Sequence, residues 1–258
     1  MRLISILILI LGLASCNKPA PNTLVVGTIA GPETELIETA REIAKKDYGL
    51  NIKVVEFNDY NLPNEALQDG SLDVNVYQHL PYLKAAMAAH GYNLQAIGRT
   101  FVYPMGIYSK KFKSLTDLPA KSIIAIPNDP SNEARALLLL QEAQLITLKN
   151  TSNSNVPEID SNPKQFQLKE MDAAQLPRVL PDVAAAVINT TFALPAGLNP
   201  LRDALFTENK DSPYANIIVI RKDTEKRHQL ELFVKALNSA PVKAKAKQLF
   251  GNAAIPAW

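Results

Sequence analysis

One order of apolar runs occurs twice in this chain, and it restricts the fold more than any other feature. Leu24-Val25-Val26-Gly27 is a short apolar run broken by glycine, the pattern of a buried strand. After Gly31-Pro32, residues Leu36, Ile37, Ala40, Ile43 and Ala44 share one helix face, with Pro32 near the first turn and Gly49 at the end. The pattern then predicts a strand over 52–57, a short helix over 63–69 stopped by Gly70, and a strand over 72–77. This β-α-β-α-β order is the unit of a parallel sheet covered by helices. It returns as a strand at 123–126, a helix opened by Asp129-Pro130 and running through Ala134, Leu137, Leu138 and Leu145, and a strand at 166–171. A helix over 173–180 and a strand over 183–189 complete the second copy.

Two similar α/β domains fit this repeat, and one long open sheet is the alternative. Two segments lie outside both copies: an extended stretch over 97–108 with Pro104 inside it, and Ile217-Ile218-Val219-Ile220 before a charged turn. If both cross between the halves, the helices around Leu230, Phe233, Val234 and Leu237 return to the first. The expectation is a two-lobed α/β fold, each lobe a mixed sheet flanked by helices. Lobe I takes 23–104 and 220–258, and lobe II takes 105–219. Ligands of open α/β sheets sit beyond the carboxyl ends of the strands, here the cleft between the lobes.

The N-terminus reads differently. Met1-Arg2 supplies one positive charge, and an apolar run from Leu3 to Leu11 follows, the form of a secretory signal peptide. The run is far shorter than the roughly 20 residues of a membrane-spanning helix. Leu13-Ala14-Ser15-Cys16 places small residues before the only cysteine, as in a bacterial lipobox. A signal peptide over 1–15, lipidation at Cys16 and a tether over 16–22 are expected, against the alternative of a buried cysteine in a core helix. With no second cysteine there is no internal disulfide, so the exported fold depends on its core. A net charge of +2, with no basic patch interleaved with aromatics, argues against nucleic acid as a partner.

No nucleophile elbow, metalloprotease helix or phosphate loop occurs, and His79, His90 and His228 are not at metal-ligand spacing. No enzyme activity, metal or cofactor is expected. The notable polar groups stand at strand ends and helix starts. Asp129 can cap a helix with Pro130 in its first position, and Arg135 lies less than two turns in. A guanidinium beside a helix N-terminus suits a carboxylate. An exposed arginine in a weak ion pair fits the same spacing. Asn189 ends an apolar strand and Asn216 precedes one, so each reads either as an amide facing the cleft or as a turn former. Tyr60, Tyr77, His79 and Tyr82 follow strands of the first half, either as an apolar slot suited to a polarisable side chain or as core packing.

Several segments, in order, resemble the methionine-binding lipoproteins of the NlpA/MetQ type. They include Val55-Glu56-Phe57-Asn58-Asp59-Tyr60, Tyr77-Gln78-His79-Leu80-Pro81-Tyr82-Leu83, Ile126-Pro127-Asn128-Asp129-Pro130-Ser131-Asn132-Glu133, Ala186-Val187-Ile188-Asn189-Thr190 and Asp211-Ser212-Pro213-Tyr214. The resemblance implies a periplasmic-binding-protein fold, two lobes closing on a free amino acid with the ligand in the interlobe cleft, and delivery to the permease and ATPase of an ABC importer. It implies that Arg135, with Asn132 one turn before it, holds the ligand carboxylate. Asn189 and Asn216 would hold its polar end, and Tyr60, Tyr77, His79 and Tyr82 the thioether. L-methionine is the expected ligand, with D-methionine, a methionine dipeptide or another apolar amino acid as alternatives. An exported hydrolase and a ligand-free envelope lipoprotein are the remote ones. Relatives often carry phenylalanine at the place of Tyr77 and glycine at that of Ala134, and Thr191-Phe192 is not their usual pair. A monomer, lipid-anchored in the cell envelope and facing the periplasm in a Gram-negative cell, completes the expectation. Cys16→Ala should release the protein from membranes while leaving ligand affinity unchanged, as membrane fractionation and calorimetry on the released protein would register.

Overall fold

The computed structural model describes residues 22–149, 156–209 and 212–258. The expected signal peptide, Cys16 and the tether as far as residue 21 lie outside the described residues, as does Asp211. The first half runs β1 (Thr23–Ile29), α1 (Pro32–Tyr48), β2 (Asn51–Phe57), α2 (Leu62–Gln68), β3 (Val74–His79), α3 (Leu80–His90) and β4 (Leu94–Val102). The second runs β5 (Gly106–Tyr108), β6 (Ile123–Pro127), α4 (Pro130–Glu142), β7 (Thr147–Leu148), β8 (Ile159–Ser161) and β9 (Gln167–Met171). It continues through α5 (Leu176–Val179), β10 (Ala185–Ile188), α6 (Thr190–Ala193) and β11 (Ala204–Thr207). Last come β12 (Ala215–Arg221), α7 (Arg227–Leu237), α8 (Ala240–Phe250) and β13 (Ile255–Pro256).

The strands form two principal sheets rather than one long one, in the orders β13-β4-β12-β3-β1-β2 and β11-β5-β10-β6-β9. In the first, β1 pairs in parallel with β2 and β3; in the second, β6 pairs in parallel with β9 and β10. Antiparallel strands then extend each sheet, β12, β4 and β13 on one side and β5 and β11 on the other. Each sheet is therefore mixed, with helices against it. The chain passes to the second sheet between β4 and β5, at the Pro104 break, and comes back between β11 and β12. The return precedes the expected boundary at 219, because β12 pairs with β3 and β4 along its length from Ala215. The apolar run marked the strand but not its start, where Ala215 and Asn216 carry little apolar signal.

Proline at the first turn opens α1, α3 and α4, and Gly49 and Gly91 close α1 and α3 in left-handed conformation. Helices α7 and α8 pack on α1, so Phe233, Leu237 and Phe250 join Leu36, Ile37 and Ala40 in one core. The second lobe centres on Ile124, Ile126, Leu137, Leu140 and Val187.

Strand β3 has an uncommon composition, being buried throughout although Asn75, Gln78 and His79 are polar. Buried polar groups need partners. Asn64 on α2 supplies them: its Nδ2 donates to Gln78 Oε1 (2.9 Å), and its Oδ1 accepts from Gln78 Nε2 (2.6 Å) and Asn75 Nδ2 (2.9 Å). This network, with the Asn216–His79 register against β12, carries β3 to His79, two residues past the expected end. His79 thus ends the strand instead of following it, and Tyr77 lies within it. Truncating the buried Phe233 to alanine should cost ~3–5 kcal/mol of stability. Urea unfolding would show this as a lower midpoint, and an unchanged midpoint would mean the returning helices do not complete the first core.

Candidate functional site

The carboxyl ends of the parallel strands in the two lobes meet across a cleft. A narrow cavity lies there, lined by Tyr60, Tyr77, Gln78, His79 and Tyr82 of the first lobe and Asn132 and Asn189 of the second. Six of the eight expected binding residues line it; Arg135 and Asn216 stand outside its wall.

The three tyrosines form a triangular cage, with ring centroids 5.8 Å apart for Tyr60–Tyr77 and 5.9 Å for each of the other two pairs. The Tyr77 and Tyr82 hydroxyls both donate to the Tyr60 carbonyl, at 3.2 and 2.8 Å. The hydroxyl of Tyr77 is thereby used inside the protein. Burial, the largest cause, holds all three phenols well above their ordinary pKa, so the cage is neutral.

The opposite end is polar. His79 Nδ1 accepts from the Tyr82 backbone N–H (3.2 Å), so its proton sits on Nε2, which donates to Asn132 Oδ1 (3.2 Å) across the lobes. Burial, aided by the nearby Arg135 charge, pushes His79 down to about 3 and keeps the ring neutral. Asn132 Oδ1 also accepts from Asn189 Nδ2 at 2.9 Å. The Asn132 Nδ2 is committed to Asp129, donating to both carboxylate oxygens at 3.0 Å. The Asn189 Oδ1 is buried with no hydrogen-bond partner.

Arg135 is on α4 one turn beyond Asn132. It forms an ion pair, as one of the two readings of its spacing had it, but a buried one, with the side chains of Arg135 and Glu208 4% and 9% exposed. Its Nε and Nη2 donate to Glu208 at 2.6 and 2.5 Å, and Nη2 also donates to the Tyr103 carbonyl at 2.9 Å. The guanidinium lies over the Tyr214 ring, 4.4 Å from its centroid, and that ring packs 5.0 Å from His79. Nη1 is the one guanidinium nitrogen without a hydrogen bond among the described residues. Asn216 is turned away from the cavity toward Glu33, donating from Nδ2 at a long 3.5 Å.

Glu33 and Glu208 were not singled out from the sequence, and Tyr214 and Phe192 were named there without a role. Glu33 opens α1, just after the end of β1, a position that could have drawn notice. Glu208 follows a short strand with no local mark. Glu33 bridges the lobes by accepting from Thr191 Oγ1 at 2.5 Å, and Phe192 packs 4.8 Å from Tyr60. Among the described residues no cluster of three or more His, Cys, Asp or Glu could hold a metal, and no helix is long and apolar enough to cross a membrane.

The profile of a family described as NlpA lipoprotein matches residues 24–258. The chain is 46% identical over 254 residues to the D-methionine-binding lipoprotein MetQ of Salmonella typhi, covering 96% of this chain and 94% of that one. A nutrient binding protein from Burkholderia cenocepacia, solved bound to methionine, superimposes with a TM-score of 0.88 at 47% identity, covering 91% of this chain and 100% of the other. A periplasmic substrate-binding protein of an ABC transporter from Coxiella burnetii is similar at 55% identity and a TM-score of 0.86, with coverage of 91% and 100%.

The Glu33 carboxyl is raised from 4.5 to about 7, chiefly by burial, with its bonds to Thr191 and Asn216 pulling it down. In the folded protein it keeps its proton up to the higher value. The stability this gives is complete below the unfolded pKa and is lost as pH rises through about 7. The loss between those limits is roughly 3 kcal/mol. Glu33→Gln should flatten the fall in unfolding free energy between pH 4.5 and 7. A variant with the same slope as the parent protein would refute the assignment.

Proposed function

The chain belongs to the NlpA lipoprotein family, and from that premise we propose that it is a substrate-binding lipoprotein that captures free methionine for an ABC importer. The observation that carries this reading is the unpartnered Asn189 Oδ1, buried at the polar end of a cavity whose other end is walled by the neutral rings of Tyr60, Tyr77 and Tyr82. An acceptor without a donor suits the ammonium of an amino acid. A thioether gains from contact with aromatic edges, which the cage of Tyr60, Tyr77 and Tyr82 offers. Arg135 stands outside the cavity wall, and its Nη1, free of hydrogen bonds among the described residues, is our candidate for the ligand carboxylate, with Glu208 ordering the guanidinium.

Three fixed points distinguish the hands of one amino acid. We assign the L form; relatives named for D-methionine make the D enantiomer the direct competitor. In this reading the protein is a monomer that binds and releases without turnover. The lipid at Cys16 keeps it in the envelope beside its permease, raising the effective concentration there.

A thermal-shift screen of the twenty amino acids and D-methionine should give its largest shift with methionine; no shift with any of them would end this reading. Loss of Arg135 should weaken methionine binding by ~2–5 kcal/mol, roughly thirty- to several-thousand-fold. Removing one partner of a buried pair also destabilises the fold. The measurement therefore uses Arg135→Met together with Glu208→Gln, and unchanged calorimetric affinity in that double variant would remove Arg135 from the site.

A further inference from the structure

Asp129 does more than cap a helix. As N-cap of α4 its Oδ1 accepts from the Asn132 backbone N–H at 3.0 Å, all that a cap requires. Its two oxygens also take the Asn132 side-chain amide, each at 3.0 Å, and Oδ1 takes the Ser131 hydroxyl at 3.0 Å. A carboxylate only accepts, so the Asn132 NH2 group must face it and the Asn132 oxygen must face the cavity. That oxygen then requires donors, which are His79 Nε2 and Asn189 Nδ2. With its NH2 group committed there, Asn189 presents its oxygen, the atom left without a partner.

Each amide in this relay has two orientations, and they are set from both ends: Asp129 takes the Asn132 NH2 group, and the His79 Nε2–H, fixed by the Tyr82 backbone N–H on Nδ1, takes the Asn132 oxygen. Were Asn132 reversed, its NH2 group would meet the His79 N–H and the Asn189 NH2, donor against donor. Asn189 would then reverse too and present an NH2 group to the ligand, which repels an ammonium. We propose that Asp129 is a positioning residue that, through Asn132, holds the Asn189 oxygen toward the ligand and so makes the site select amino acids over analogues lacking the ammonium. This rests on the methionine reading above. It also places a fixed negative charge behind the ammonium, joined to it by two polarised amides.

The test compares L-methionine with 4-(methylthio)butanoic acid, its analogue without the amine, by calorimetry on the parent protein and on Asp129→Ser. Serine keeps the N-cap but is too short to hold the Asn132 amide. The preference for methionine should fall by about tenfold or more, the scale of a hydrogen bond to a charged group. The fall should come from weaker methionine binding, with the analogue nearly unaffected. If the two affinities fall together, or the ratio is unchanged, Asp129 has only a structural role and the proposal fails. Should Asp129→Ser not fold, Asp129→Asn removes the charge at constant shape and is read in the same way. A parent protein that binds neither compound overturns the methionine reading and this inference with it. One that binds methionine while the variant keeps the ratio overturns the inference alone.

Discussion

At the cavity the two lobes meet on one oxygen atom. Asn132 Oδ1 accepts from His79 of the first lobe and from Asn189 of the second, inside a region closed to water. The bond to His79 crosses a boundary that the chain traverses only twice, so it joins parts of the protein with no local reason to stay together, and the bond to Asn189 orders the second lobe's side of that contact. A buried polar atom left without a partner costs about 1–3 kcal/mol. Separating the lobes would expose His79 and Asn132 to water, which solvates them. Bringing them together is favourable only if almost every polar group there finds a partner. Asn189 Oδ1 is the exception, and a donor that satisfies it adds its binding free energy to the closed arrangement alone. That is the condition under which a ligand shifts a conformational equilibrium.

Such a contact needs rigid supports on both sides. On the first lobe the support is the Asn64–Asn75–Gln78 network, which lets a strand end in polar residues while buried throughout. Tyr77 and His79 inherit that rigidity, since the strand reaches the cavity before α3 begins at Leu80. On the second lobe the support is the first turn of α4, where Asp129, Pro130 and Asn132 are fixed by the cap. Groups on strand ends and first turns are held more firmly than groups on loops. The Arg135–Glu208 pair adds a third support, ordering a guanidinium that would otherwise sample many rotamers.

The features legible in the sequence are those with a local cause. Apolar spacing gave both β-α-β-α-β units, and prolines and glycines marked the helix ends. Polar residues beside apolar strands pointed to six residues that line one cavity. Features fixed by distant partners left no such trace. Arg135 and Glu208 are 73 residues apart, and Glu33 and Thr191 are 158 apart, so no spacing rule could join them. The start of β12 and the end of β3 were misplaced for a related reason. Each is set by pairing with the other, at Asn216 and His79, where neither residue has strand propensity to announce it. Asn216 was expected in the cleft because it stands before an apolar strand. Its side chain follows the buried carboxyl of Glu33, which pattern reading had left unplaced.

Those long-range pairs also give meaning to the local departures from the family pattern. Thr191 and Phe192 follow Asn189 directly, and both reach across the lobes, one to Glu33 and the other to Tyr60. Neither residue is among those lining the cavity. They act on how firmly the lobes hold together rather than on which ligand is recognised. Closure and recognition therefore share a short segment: Asn189 presents the acceptor, and its next two neighbours join the lobes around it. Substitution at 191 or 192 can alter the stability of the closed form without altering the chemistry at Asn189. Affinity in a two-lobed receptor is the sum of contact and closure, so a change in closure alone moves affinity for every ligand alike.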